Sequence, residues 1–192
     1  MMPIRQDFNR IMIKNIISSL LIMFSATLFA DVFCWKVSDG DTIWVADESG
    51  KRTKIRMNKI DAPELNQPFG KESADRLAAL VLGKYITLES SGKDQYGRSL
   101  DVVFIETNTT THAKMDVNLQ LVKEGLAWHY YTDHTPAYTN AENEAKAKKI
   151  GLWGGSNPIN PYQWRKMRIP AAPDKEYNSR KVAIPKTIKG GK

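Results

Sequence analysis

Three short stretches of this sequence carry residues that can do chemistry. Val37-Ser-Asp-Gly-Asp-Thr42 supplies Asp39 and Asp41, and Arg56-Met-Asn-Lys-Ile-Asp-Ala-Pro-Glu64 supplies Arg56, Asp61 and Glu64. Asp94-Gln-Tyr-Gly-Arg98 adds a second arginine. Carboxylates from neighbouring strand ends can meet on one hard cation, and calcium takes oxygen ligands in irregular geometry. No Cys or His cluster points to zinc. A spare carboxylate can act on a water, and a water near a metal is easier to deprotonate. Arginine's planar fork matches phosphate oxygens in pairs and stays charged at any working pH. Fixed cations there stabilise the transition state of phosphodiester hydrolysis more than its ground state. Together these residues form a kit for cutting a phosphodiester.

Glu64 is the candidate general base, because it starts a loop after a proline and can reach a water near the metal. Pro63 keeps Ala62 extended and so aims its carbonyl. Gly97 permits the tight turn that presents Arg98. Tyr96, Tyr130 and Tyr131 are candidates for stacking on a base, a contact that tolerates any sequence. Taken alone, Asp39-Gly-Asp41 reads first as a plain turn, and the metal reading prevails only with Ile60 to Glu64 alongside. His112, His129 and His134 lack a second ligand at metal-binding spacing and read as loop or surface residues.

These groups need a scaffold. Residues 32–37 and 42–46 are short runs rich in Val, Ile, Trp and Phe, as strands are. Residues 53–60 alternate, with Thr53, Ile55 and Met57 on one side and Lys54, Arg56 and Asn58 on the other. A helix is expected over 69–82, where Ala74, Leu77, Ala78 and Val81 share a face and Gly83 ends it. Strands follow at 85–89 and 100–105, then helices at 117–124 and 138–149. Five strands with a helix after the third match an OB-fold. The expected class is therefore α+β, a five-stranded OB-fold barrel with about three helices.

At these same motifs the chain resembles the staphylococcal-nuclease (thermonuclease) family, over about residues 32–165. The resemblance implies that Asp41, Asp61 and the main-chain carbonyl of Ala62 bind Ca2+. It makes Glu64, Arg56 and Arg98 catalytic, and DNA and RNA the substrates, with water as nucleophile and 3′-phosphate products. Ala62 stands where the best-known member has Thr, a change that a main-chain ligand survives. Gly125-Leu-Ala-Trp-His-Tyr-Tyr131 resembles the family segment that supplies a tyrosine, which leaves Tyr130 and Tyr131 both open. Two stretches depart from the family pattern. The loop 65–68 is shorter than in the best-known member, with no matching lysine before Lys71. The stretch 106–114 is long for a hairpin and rich in threonine. It contains the triplet Asn108-Thr-Thr110, read as a polar loop. The competing class is a non-catalytic OB-fold that binds nucleic acid or protein. Such a module would lack some of Asp41, Asp61, Glu64, Arg56 and Arg98, and this chain has all five.

Length and charge agree with this. The 192 residues fit one domain with tails, and a net charge of +7 favours polyanionic partners. Arg5, Arg10 and Lys14 precede a mostly apolar run at 16–29 that ends in Ala30, so residues 1–30 read as a signal peptide. That run is short for a membrane span, which needs about 20 residues. An uncleaved anchor is the weaker alternative. A start at Met12 gives a more compact leader than a start at Met1. The expected organisation is leader 1–30, a nuclease-like domain at 31–166, and a flexible basic tail at 167–192. The product is expected to be secreted or periplasmic, monomeric, free of the membrane after cleavage, and without a stable protein partner. The single cysteine, Cys34, cannot form an intramolecular bridge and reads as a half-buried core thiol.

Overall fold

The computed structural model describes residues 31–169, 180–186 and 188. The leader expected over 1–30 lies outside them, as does much of the tail. Eight strands are described: β1 (Asp31–Asp39), β2 (Thr42–Ala46), β3 (Arg52–Met57), β4 (Ile60–Asp61), β5 (Tyr85–Lys93), β6 (Ser99–Asn108), β7 (Ala113–Asp116) and β8 (Trp128–His129). The helices are α1 (Gly70–Val81), α2 (Val117–Lys123), α3 (Pro136–Ala147) and α4 (Pro161–Lys166), with a 3-10 turn at Gly151–Gly154.

The barrel is a ring of five strands in the order β3-β2-β1-β5-β6, and β3 pairs back onto β6 to close it. The closing pair is parallel, Ile55 with Ser99, Arg56 with Leu100 and Met57 with Asp101. The other four pairs of the ring are antiparallel. Alternation along β3 decides which side each residue serves. Ile55 and Met57 are buried in the main core with Val37, Ile43, Ile86 and Val103, while Arg56 turns out to a surface cleft. Helix α1 adds Leu77 and Val81 to that core, α2 adds Leu121 and Val122, and α3 adds Tyr138.

The expected α+β barrel is present. Its elements differ from the sequence reading mainly at their ends and in four additions. The threonine-rich stretch is a short hairpin rather than a long loop, because β6 runs on to Asn108 and β7 starts at Ala113. Asn108 Oδ1 closes its turn by accepting from the backbone N–H groups of Thr110 and Thr111, both at 2.9 Å. Strands β4 and β8 pair as a separate two-stranded ribbon, Ile60 with His129 and Asp61 with Trp128. His129 is not a surface residue. Its Nε2 lies 2.7 Å from Asp133 Oδ2, and its ring packs near Tyr138.

A second difference concerns the basic tail. Strand β5 covers β1 only as far as Phe33, which leaves the later part of β1 with an open edge. The described tail residues cover that edge. Val37 N–H donates to the Arg180 carbonyl at 2.9 Å, and Val182 N–H donates to the Trp35 carbonyl at 2.8 Å. Ile188 and Ile184 join Phe33, Ala46 and Trp35 in a small outer apolar cluster. Arg180 is buried and binds Asp75 of α1 at 2.7 Å through Nε. This part of the tail belongs to the fold, because apolar residues spaced along it find an unpaired strand edge. Cys34 is a core thiol that is fully rather than half-buried, and burial pushes it up to about 12.

Among the described residues no helix is long and apolar enough to cross a membrane.

Candidate active site

The β1–β2 turn, the β3–β4 turn and the β5–β6 turn meet at one end of the barrel. They wall a cleft of about 760 Å³ lined by Asp39, Asp41, Arg56, Ala62, Glu64 and Arg98, together with Tyr96, Tyr130, Tyr131, Tyr162 and Arg165. Asp61 sits just beneath, buried. The structure therefore brings together every site residue expected from the sequence.

The acidic turn is held tightly. Asp39 Oδ1 accepts from the Asp41 N–H at 3.1 Å, and Asp41 Oδ1 accepts from Thr42 Oγ1 at 3.1 Å. Gly40 between them has no room for a side chain, since a Cβ there would stand 2.1 Å from Ser73 Oγ. This presses the turn against α1. Asp41 Oδ2 accepts from the Ala62 N–H at 2.7 Å, which ties the two acidic stretches together. Burial, followed by the Asp41 carboxylate, pushes Asp39 up to about 7. Burial and Asp41 also raise Asp61, against the pull of Arg165 and Arg56.

Arg56 projects from β3 into this group. Its Nη2 donates to Asp61 Oδ1 at 2.8 Å, and its Nη1 is paired with Asp41 Oδ2. Burial opposes its charge, yet Asp41, Asp61 and Asp39 hold its pKa above the ordinary arginine value. The β3–β4 turn that delivers Asp61 is itself pinned by Asn118 of α2, which is fully buried. Asn118 Nδ2 donates to the carbonyls of Asn58 at 2.8 Å and Asp101 at 3.2 Å, and its Oδ1 accepts from the Val103 N–H at 3.0 Å.

Glu64 opens the loop to α1. Its side chain is 38% exposed, against 13% for that of Arg56. The loop is fixed by Gln67, whose Oε1 accepts from the Glu64 N–H at 3.1 Å and whose Nε2 donates to the Ile159 carbonyl at 2.6 Å. Arg98 is presented by the β5–β6 turn, where Gly97 takes a φ of 76° as its role there requires. Asp94 orients Arg98, accepting from its Nε at 2.6 Å and from its backbone N–H at 2.8 Å. Tyr96, Tyr131 and Tyr162 are exposed aromatics of the cleft, and Tyr130 is half-buried with its ring centroid 4.9 Å from that of Tyr131.

Two cleft residues were not anticipated from sequence. Arg165 of α4 reaches Asp61 and Glu64, and Tyr162 lines the same cleft. Asn160 before Pro161 is a readable helix start, and Asn160 Oδ1 does accept from the Tyr162 N–H at 2.9 Å. Nothing local shows where that helix docks.

Among the described residues no three His, Cys, Asp or Glu side chains form a metal-holding group. The cleft instead offers two carboxylates, Asp41 and Asp61, beside the main chain of Ala62. The carboxylate and carbonyl oxygens are hard donors, and arginine now holds both carboxylates. That donor set fits a hard divalent cation.

A closed barrel with an acidic, arginine-walled cleft at the strand turns is an arrangement suited to phosphodiester hydrolysis, and comparison with known proteins puts the chain in the nuclease class. Residues 54–155 match the family described as staphylococcal nuclease homologue. A Haemophilus influenzae protein described as an uncharacterized endonuclease is 42% identical over 159 residues, covering 80% of this chain and 85% of its own. An Escherichia coli O157:H7 protein of the same description is 38% identical over 156 residues, covering 79% of this chain and 97% of its own. The Arabidopsis thaliana protein called staphylococcal-like nuclease CAN1 is 37% identical over 117 residues, which is 60% of this chain and 34% of that longer protein. The chain belongs to the staphylococcal nuclease family.

Proposed function

We propose that this nuclease is a calcium-dependent endonuclease that hydrolyses DNA and RNA and leaves 3′-phosphate ends. The observation that carries the reading is the meeting of Asp41, Asp61, Glu64, Arg56 and Arg98 around one cleft, two of them buried carboxylates. Asp41, Asp61 and the Ala62 carbonyl would hold calcium, which supplies charge neutralisation and a more acidic water. Glu64 takes the proton from the attacking water. Arg56 and Arg98 hold the phosphate and the charge that develops on its oxygens. Tyr96, Tyr130 and Tyr131 offer ring faces to whichever base is nearby, which suits broad sequence tolerance.

The leader-like pattern over 1–30 supports export, to the periplasm or the medium, with the cleaved product free of the membrane. A mature N-terminus near Asp31 is the expected result of N-terminal sequencing, and a protein that retains residues 1–30 favours the uncleaved anchor instead.

The testing experiment is digestion of plasmid DNA and of RNA by the purified protein, with calcium and with chelator, beside Glu64→Gln. Calcium-dependent cutting that largely disappears in the variant supports the mechanism. Cutting that persists in chelator rejects the cofactor, and cutting unchanged in Glu64→Gln rejects the base.

A further inference from the structure

Arg165 is bound to one candidate metal ligand, Asp61, and to the candidate base, Glu64. Its Nη1 donates to Glu64 Oε1 at 2.8 Å and to Asp61 Oδ1 at 3.3 Å, and its Nη2 donates to Asp61 Oδ2 at 3.1 Å. One guanidinium thus spans the candidate ligand and the candidate base. With Arg56 also on Asp61 Oδ1, both oxygens of Asp61 are engaged by arginine. Asp61 and Glu64 together hold Arg165 firmly in its charged form, against some burial.

The two arginines differ in how they are held. Arg56 is rooted in the barrel wall, with a side chain 13% exposed. Arg165 sits on the six-residue helix α4 at the cleft mouth, with a side chain 43% exposed. Helix α4 lies beyond the segment that matches the family. It is nonetheless anchored at the site, since Trp164 Nε1 donates to Asn66 Oδ1 at 3.1 Å in the loop that carries Glu64. The helix is fixed while the long Arg165 stem can swing.

We propose that Arg165 is a built-in counter-cation. It holds Asp61 and Glu64 in the metal-free enzyme, competes with the divalent cation for Asp61, and on displacement becomes a third guanidinium for substrate phosphate. The inference rests on the nuclease reading with its cation at Asp41 and Asp61. A divalent ion at Asp61 has to take an oxygen that arginine now holds, and Arg165, far more exposed than the wall-rooted Arg56, is the partner free to leave. The displaced group remains on α4 at the mouth, where a polyanion must pass, and guanidinium suits its phosphates.

The test is calorimetric titration of calcium, without nucleic acid, into the wild type, Arg165→Gln and Arg165→Lys, with melting temperatures and steady-state kinetics on DNA beside it. Losing a half-exposed ion pair that competes with the metal tightens calcium binding by about three- to tenfold in Arg165→Gln. The calcium-induced rise in melting temperature grows accordingly. In the same variant at saturating calcium, KM for DNA rises several-fold, and Arg165→Lys falls between the two. Calcium affinity that is unchanged or weaker in folded Arg165→Gln overturns the competition, and an unchanged KM overturns the phosphate role. A wild type that binds no calcium overturns the cofactor reading, and this inference with it. A wild type that binds and cuts normally, with Arg165→Gln indistinguishable from it, overturns the inference alone.

Discussion

Arg56 donates to Asp61 at 2.8 Å across the turn between β3 and β4, and the same guanidinium is paired with Asp41. Arg98 is bound instead to Asp94 of its own turn, at 2.6 Å. The two arginines therefore do different structural work beside a shared chemical task. Arg56→Gln and Arg98→Gln are each expected to lower kcat by about 10²–10³-fold, the usual cost of removing a preorganised donor. Only Arg56→Gln strands buried carboxylates, so it also destabilises the metal-free protein, by about 3 kcal/mol. Arg98→Gln stays within about 0.5 kcal/mol of wild type. Urea denaturation in chelator, run beside kinetics, separates them; equal stability losses would refute the distinction.

Glu64→Gln keeps the shape of the loop and an acceptor oxygen for Arg165. Removing a general base lowers kcat by about 10²–10⁴-fold. Calcium affinity should change by less than about threefold, because Glu64 is not among the metal donors assigned here. Rapid-quench single-turnover rates and calorimetry measure the two effects. A large loss of calcium binding would make Glu64 a ligand rather than the base.

The raised pKa of Asp39 predicts a pH dependence. Its folded value, pushed up to about 7 by burial and Asp41, lies above the ordinary carboxylate range. The folded state thus binds this proton more tightly than the unfolded chain. The resulting stabilisation is fully present below about pH 4 and is lost as pH rises through about 7. In chelator, the stability advantage of the wild type over Asp39→Asn should shrink steadily between those limits. Calcium should oppose the loss at the upper end by offsetting the crowded negative charge. Parallel stability profiles for the two proteins would contradict the assignment.

Asn118 holds three backbone groups from its fully buried position: the Val103 N–H and the carbonyls of Asn58 and Asp101. Asn118→Leu deletes all three bonds and strands buried polar groups, each worth about 1–3 kcal/mol. An overall loss of about 3 kcal/mol or more is expected by thermal or chemical unfolding. Loosening the Asn58 turn should also weaken calcium binding, since that turn delivers Asp61. A variant as stable as wild type would show that the network contributes little.

Much of this was legible before the fold was known, and the reasons are local. The period-two pattern of Thr53, Ile55 and Met57 placed Arg56 outward, because a strand has only two faces. Gly97 announced a turn, and Pro63 announced an extended Ala62. What escaped depends on the path of the chain. Arg165 and Asp61 are 104 residues apart in sequence, and no periodicity links them. The β1 edge that captures Val182 exists only because β5 stops pairing after Phe33, a register property that strand propensity does not carry. His129 escaped for a similar reason, since its burial follows from the β4–β8 pairing rather than from its neighbours in sequence.

The parallel pairing of β3 with β6 both shuts the barrel and sets the turn bearing Arg98 beside Arg56. The partners in that seam are about 44 residues apart in sequence, and non-local pairings of this kind slow folding. A nascent or unfolded chain therefore has all five key residues and no place where they face one phosphate. The five side chains can act together only once the barrel is shut, and an unfolded chain is a harmless one. Refolding time courses would then show nuclease activity returning with barrel closure rather than with helix formation, making catalysis itself the readout of the final folding step.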